Sequence, residues 1–300
     1  MKKNTMRLFA AVFAVMGLLT ITPTTFAAEP ASTDEENILL SPTKKRYEMA
    51  TGESKQDSMK VVNDGSSPIS FIVYARPYSV RNENYDPNYD SNAKNADAYK
   101  WVQFDKGSFD LAPGESVDIG FTVRVPQNAT PGGHYGVLFA ETQVLTQPGG
   151  TSIVQKKRVG SILYVTVKGD VKLSGDFVGE TVPFFQTKAP VLINQRVANK
   201  GNTDFVVTST VSVSDIFGGV KFKNQKESAV LPETTRAIDN SWANPAWIGL
   251  YRVEQSVAFL DTTKSTTNYV LLIPIWVYLT TALLIGARVL YAVAHRKRKK

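Results

Sequence analysis

From Tyr269 to Ala287 the chain carries no charged residue. Apolar side chains crowd this run, among them Val270, Leu271, Leu272, Ile273, Ile275, Trp276, Val277, Leu283, Leu284 and Ile285. A bilayer's hydrocarbon core takes about 20 such residues to cross, and lipid offers backbone amides no partner, so a run like this is satisfied as a helix. Pro274 falls near its outer end, where a missing N–H costs least. Arg288 can reach back to the basic side along its stem, which extends the expected span over 269–294. A buried core helix is the competing reading. It loses because Arg296, Lys297, Arg298, Lys299 and Lys300 follow at once, and Lys and Arg collect on the cytoplasmic side of membranes. One span with a basic tail over 295–300, acting as a cytoplasmic anchor, is the result.

The other end agrees. Lys2, Lys3 and Arg7 precede an apolar stretch from Leu8 to Ile21, and small residues follow at Thr25, Ala27 and Ala28. This is the layout of a signal peptide over 1–27. Cleavage after Ala27 leaves Thr25 at the −3 position, whereas cleavage after Ala28 would put the bulky Phe26 there. An uncleaved anchor helix would still export the chain. Residues 28–37 are polar and without period, a flexible leader.

These ends also explain the charge. The net +7 suggests nucleic acid at first sight, but three positive charges sit before the apolar N-terminal run and six at or after Arg288. Without them the intervening chain stands at −2, so the basic character belongs to the ends and no nucleic-acid partner is expected. Cysteine is absent, which removes disulfides, thiolate nucleophiles and Cys-based metal sites together. An exported protein of this kind must hold its cores without staples, as bacterial surface proteins do.

Between the ends the signal is β. In Val117–Val125 five apolar residues alternate at strict period two, one face for a core and the other for solvent. Ser70–Ala75, Gly136–Ala140 and Ser161–Val167 are β-branched and aromatic runs bounded by turn residues. A pattern then recurs. Val61-Val62-Asn63-Asp64-Gly65-Ser66-Ser67 is echoed by Val197-Ala198-Asn199-Lys200-Gly201-Asn202-Thr203. Leu111-Ala112-Pro113-Gly114-Glu115 is echoed by Leu231-Pro232-Glu233-Thr234, and Gly133-His134-Tyr135 by Gly249-Leu250-Tyr251. Three landmarks in one order predict an all-β ectodomain of two tandem immunoglobulin-like β-sandwiches, over 38–167 and 171–261, with Lys168-Gly169-Asp170 between them. A polar spacer over 262–268 then leads to the span. Tyr135 and Tyr251 stand where such folds place a tyrosine that bonds back to its own corner; ordinary core aromatics are the alternative.

On these residues the chain resembles bacterial cell-surface proteins of the WxL-interacting type. Those that carry the likeness are Val61-Val62-Asn63, Leu111–Glu115, Val123-Arg124-Val125-Pro126 with Gly132-Gly133, Leu231–Arg236, Trp242 and Gly249-Leu250-Tyr251. The resemblance implies a peptidoglycan-binding module, a second Ig-like module and a C-terminal membrane anchor, hence wall binding and docking of a partner protein. Similar turns occur in periplasmic pilus chaperones and other Ig-like modules.

Leu231-Pro232-Glu233-Thr234-Thr235 looks like a sortase signal, but it lies far from the span and reads better as the corner matching Leu111–Glu115. The insertion over 81–98 is distinctive. Tyr85, Asp86, Asn88, Tyr89 and Asp90 make it a candidate ligand-binding loop, since rigid rings and amides suit glycan or protein surfaces. A solvated insertion and a weak Ca²⁺ loop are its other readings; the Gly and closing Glu of the latter are missing. His134 and His295 are the two histidines, one placed in a turn and the other in the tail. Nothing spaces a catalytic group, a metal site or a cofactor cradle, so a non-enzymatic binding or scaffold protein is expected, engaging a cell-wall polymer or another surface protein. The rival is an accessory component or assembly chaperone of an envelope machine, with the helix making the specific contact.

Overall fold

The computed structural model describes residues 37–143, 156–245 and 248–297. The expected signal peptide, most of the leader, and Arg298, Lys299 and Lys300 lie outside them. Eleven strands belong to the first module, nine of them in its sandwich: β1 (Ile38–Ser41), β2 (Lys44–Met49), β3 (Ser54–Asn63), β4 (Ile69–Pro77), β5 (Ser79–Val80), β6 (Pro87–Asn88), β7 (Val102–Phe104), β8 (Ser108–Leu111), β9 (Ser116–Arg124), β10 (Gly132–Gln143) and β11 (Arg158–Val167). Its sheets run β1-β3-β9-β7 and β2-β11-β10-β4-β8, and β5 pairs with β6 apart from them. The second sandwich holds β12 (Gly175–Thr181), β13 (Phe185–Gln186), β14 (Val191–Asn199), β15 (Phe205–Asp215), β16 (Val220–Val230), β17 (Thr235–Trp242), β18 (Gly249–Phe259) and β19 (Thr262–Leu272), in sheets β12-β14-β17 and β13-β19-β18-β15-β16. Helix α1 spans Ile275–Lys297. The fold class is all-β, two immunoglobulin-like sandwiches with one C-terminal apolar helix.

Strand β9 shows how alternation becomes burial. Ile119, Phe121 and Val123 enter the first core, while Asp118, Gly120 and Thr122 alternate outward. Strand β10 has no such alternation, because both of its faces are covered. Leu138 and Ala140 pack into the first core; Tyr135, Val137 and Phe139 join a separate cluster with Val197, Phe205, Leu231 and Phe259 of the second sandwich. That second cluster fuses the sandwiches. Their connection is bonded too: Lys168 N donates to the Met49 carbonyl (2.9 Å), and Asn202 Nδ2 to that of Asp170 (2.8 Å).

The sequence repeat is a repeated device. Asn63 is fully buried; its Nδ2 donates to the carbonyls of Ser67 and Leu111, and its Oδ1 accepts from Gly65 N. Asn199 repeats this with Thr203, Val230 and Gly201. The backbone of each also meets the following corner, Asn63 N donating to the Glu115 carbonyl and Asn199 N to that of Thr234. Each corner turns through a left-handed residue, Gly114 at φ 76° and Glu233 at φ 57°. Leu231–Thr235 is therefore buried architecture at its start, as the match to Leu111–Glu115 predicts.

Two expected boundaries are corrected. Residues 262–268 are no spacer but the first part of β19, which pairs with β18 from Phe259↔Thr262 to Gly249↔Leu272. The expected span loses its first residues to the same strand: Tyr269 is in β19, and Val270 and Leu272 are core. Ser, Thr and Asn hid the strand, because most of its outer edge faces solvent; β13 pairs only with Leu271 and Leu272. Thr is nonetheless a good strand former. Helix α1 contains the only stretch among the described residues long and apolar enough to cross a membrane, Ile275–Val293, at about 28 Å. Arg296 and Lys297 close the helix.

Candidate functional site at the junction of the sandwiches

The insertion over 81–98 does not stand out as a free loop. Its base is the β5–β6 hairpin, with Ser79 opposite Asn88. At its tip Tyr85 takes a left-handed backbone, φ 65°, and is buried. The Tyr85 hydroxyl accepts from Leu231 N (2.8 Å) and donates to Thr234 Oγ1 (2.6 Å), whose own proton goes to the Leu231 carbonyl. The Arg236 guanidinium lies 4.1 Å from the ring centre, within cation–π range. Beside it the Glu83 carbonyl accepts from Ala237 N (2.8 Å), and Arg196 Nε reaches the Glu83 carboxylate at 2.6 Å. That hydrogen bond holds the Glu83 carboxyl below the usual carboxylate range. Tyr89 meets Phe139 edge-on at 4.9 Å.

The candidate ligand loop is thus a clasp between the sandwiches. Tyr85 and Tyr89 turn inward; Asp86 is held by Asn82 Nδ2 (2.7 Å), and Asn88 Oδ1 accepts from Asp90 N (3.2 Å). The sequence offered no sign of this, because the partners lie about 150 positions downstream.

Tyr135 is also reassigned. Its hydroxyl bonds to Asp204 of the second sandwich rather than to its own corner, accepting from Asp204 N (3.0 Å) and donating to Oδ1 (3.1 Å). Asp204 Oδ2 in turn receives Arg46 Nη1 at 2.5 Å, and the Arg46 guanidinium stacks 4.0 Å from the Tyr164 ring centre. Tyr251 stays in its own sandwich, edge-on to Trp242 at 4.9 Å. Glycine is needed two places earlier in the first copy, where a Cβ on Gly133 would lie 2.0 Å from the Tyr135 hydroxyl; in the second, a Cβ on Gly249 would only touch the Tyr251 ring at 3.4 Å, an ordinary contact. The Gly-x-Tyr landmark records a ring folded back over the chain.

His134 is missed by sequence reasoning as a structural group. It lies near the start of β10 rather than in a free turn, is buried, and packs at a tilt against Trp101, ring centres 4.6 Å apart. Nδ1 faces Asp97 Oδ1 (2.6 Å) and Nε2 faces the Thr130 carbonyl (2.8 Å). Both partners only accept, so the doubly protonated ring alone satisfies both. Burial would lower its pKa, but the bond to Asp97, the Thr130 carbonyl and the Asp97 charge together raise it above the ordinary 6.5. A raised histidine pKa contributes stability that is complete below the unfolded value and lost as pH rises through the folded one. The melting temperature is therefore expected to fall as pH climbs above about 6.5, and His134→Gln should flatten that slope. Equal slopes for the two proteins across this window would refute the assignment.

Between clasp and sandwiches lies a cleft of about 200 Å³. Lys44, Arg46 and Arg236 supply positive charge, Tyr78, Tyr85 and Tyr164 an aromatic floor, and Glu227 the one carboxylate of its wall. Arg46 and Arg236 are partly committed, to Asp204 and to the Ala229 carbonyl, whereas Lys44 is exposed. A second, open groove of about 400 Å³ passes Lys94, His134, Asn202 and Glu233.

No family model matches the chain, and no curated protein is similar to it in sequence. Among solved structures it is similar to the class 5 fimbriae chaperone CfaA, at 14% identity and a TM-score of 0.39, over 80% of this chain and 100% of that one. It is also similar to the E. coli chaperone DraB, at 14% identity and a TM-score of 0.39 over 78% and 97%. The Salmonella enterica SafB chaperone in complex with the SafA pilin gives 14%, 0.38, and 80% and 98%.

Proposed function

We propose that this chain is a non-enzymatic binding and scaffold protein of the cell surface, of the WxL-interacting type. Helix α1 holds it in the membrane, and the two sandwiches lie on the extracytoplasmic side. The partner is another surface protein, engaged through an acidic segment at the junction cleft. The observation that carries this is the cleft itself: three cations over an aromatic floor, with Lys44 exposed at its edge. Tyrosine and arginine are the residues that most often anchor protein interfaces. A volume near 200 Å³ admits a few side chains. The helix-centred alternative is supported less, because Thr280 and Thr281 return their hydroxyls to the Val277 carbonyl rather than offering them to a partner.

Lys44→Glu tests the proposal without touching the Arg46–Asp204 bridge. Full-length protein in lipid nanodiscs is presented to proteins released from the cell surface. The variant is expected to bind its partner about tenfold more weakly, roughly 1.4 kcal/mol for one reversed cleft charge. Equal retention by both proteins, together with loss on exchanging Ile275–Val293 for an unrelated span, would favour the alternative.

A further inference from the structure

We infer that the end of the second sandwich remote from the first is a lipid-docking surface, seated in the outer headgroup layer of the bilayer that α1 crosses. The inference rests on the membrane reading of α1 but not on the cleft. Only Ile273 and Pro274 separate β19 from α1, and both neighbouring amides are still bonded to the sandwich: Ile273 N donates to the Gln186 carbonyl (2.9 Å) and Ile275 N to that of Thr187 (3.2 Å). Two residues reach at most about 7 Å. The polar layer between hydrocarbon and water is roughly 5–8 Å deep on each side. A span that begins at Ile275 therefore leaves no room for water beneath the sandwich.

Strand register identifies what meets the lipid. Asp215 pairs with Tyr251, Tyr251 with Val270, and Phe185 with Leu271, so the β15–β16 turn, the start of β18 and the end of β19 share one end of the fold. That end exposes large apolar side chains that a water-facing surface would not favour. Phe217 at the turn tip is 91% exposed and Ile216 68%; Phe184 is 66% and Val220 63% exposed, with Phe185 and Ile248 beside them. Phe, Leu and Trp side chains are the groups that seat an apolar surface at the headgroup–acyl boundary, and large apolar side chains gathered at one exposed end mark an interaction site. The occupant is lipid rather than a second copy, because the junction brings this surface to the bilayer whatever else binds.

The absence of cysteine makes the test direct. Full-length protein carrying Phe217→Cys, Ile248→Cys, Leu260→Cys or Leu284→Cys is nitroxide-labelled and reconstituted in vesicles of phosphatidylcholine and phosphatidylglycerol. Collision with oxygen is compared with collision with a water-soluble nickel chelate. Labels at 217 and 248 are expected to favour oxygen, inverting the ratio found at position 260, which lies at the opposite end of β18. Position 284 reports the helix itself. An aqueous ratio at 217 and 248 with a buried ratio at 284 overturns the docking surface alone; an aqueous ratio at 284 overturns the membrane reading and the inference with it. Dipolar broadening between labels at 217 on two copies would assign the surface to self-association and also overturn the inference.

Discussion

Asn199→Ala is expected to cost about 3 kcal/mol of unfolding free energy, read as a shift of the denaturation midpoint of the detergent-solubilised chain. The buried side chain makes three hydrogen bonds, to the Thr203 and Val230 carbonyls and from Gly201 N. Each such bond contributes about 1 kcal/mol net, but the larger effect is what truncation leaves behind: two carbonyls and an amide, shielded from water, without their partner. Asn199→Asp separates the contributions. It keeps the acceptor for Gly201 and places a carboxylate against two carbonyls, so it should be no better tolerated than alanine. Because Asn63 makes the same bonds in the first sandwich, Asn63→Ala should behave alike. A loss below about 0.5 kcal/mol for both alanine variants, the level of ordinary surface changes, would show that the repeated device is not what closes the sandwich ends.

Tyr85→Ala should cost about as much, roughly 3–4 kcal/mol, the usual range for emptying an aromatic site. The manner of loss distinguishes it. Tyr85 belongs to the cluster formed jointly by both sandwiches, and its hydroxyl bonds only to the second. Its removal leaves each sandwich its own core and weakens the coupling between them, so unfolding should separate into two transitions. The loop should also become open to limited proteolysis between Arg81 and Lys94. Tyr85→Phe removes only the hydroxyl and should cost about 1 kcal/mol with a single transition retained. Unchanged stability and protease resistance in Tyr85→Ala would mean the insertion is not a clasp.

How far the sequence could be read follows from where each signal's cause lies. Alternation in Val117–Val125 and the doubled Asn-x-Gly and Pro-corner landmarks arise from neighbours within one sandwich, and they led directly to the fold. Gly136–Ala140 displayed two-sided burial as an unbroken apolar run, but nothing local says that the second cover is another sandwich. Tyr85 and Tyr135 bond to Leu231, Thr234 and Asp204, partners 69 or more positions away, so their residue types were noticed and their roles were not. Thr262–Asn268 read as a spacer because a strand with an open edge needs no apolar stripe. His134 sat in a landmark and was passed over, since its meaning depends on Asp97 and Thr130 arriving on opposite sides of one ring.

The direct passage from β19 into α1 has a mechanical consequence. In the proposed membrane-held protein, tension between a captured partner and the bilayer would leave the second sandwich through Leu272, along the axis of β19. Eleven paired positions with β18, from Phe259↔Thr262 to Gly249↔Leu272, then resist sliding together instead of opening one by one. Such a geometry transmits pulling force without paying out chain, so strain at the surface would reach the bilayer as tilt of the helix rather than as unravelling of its mount.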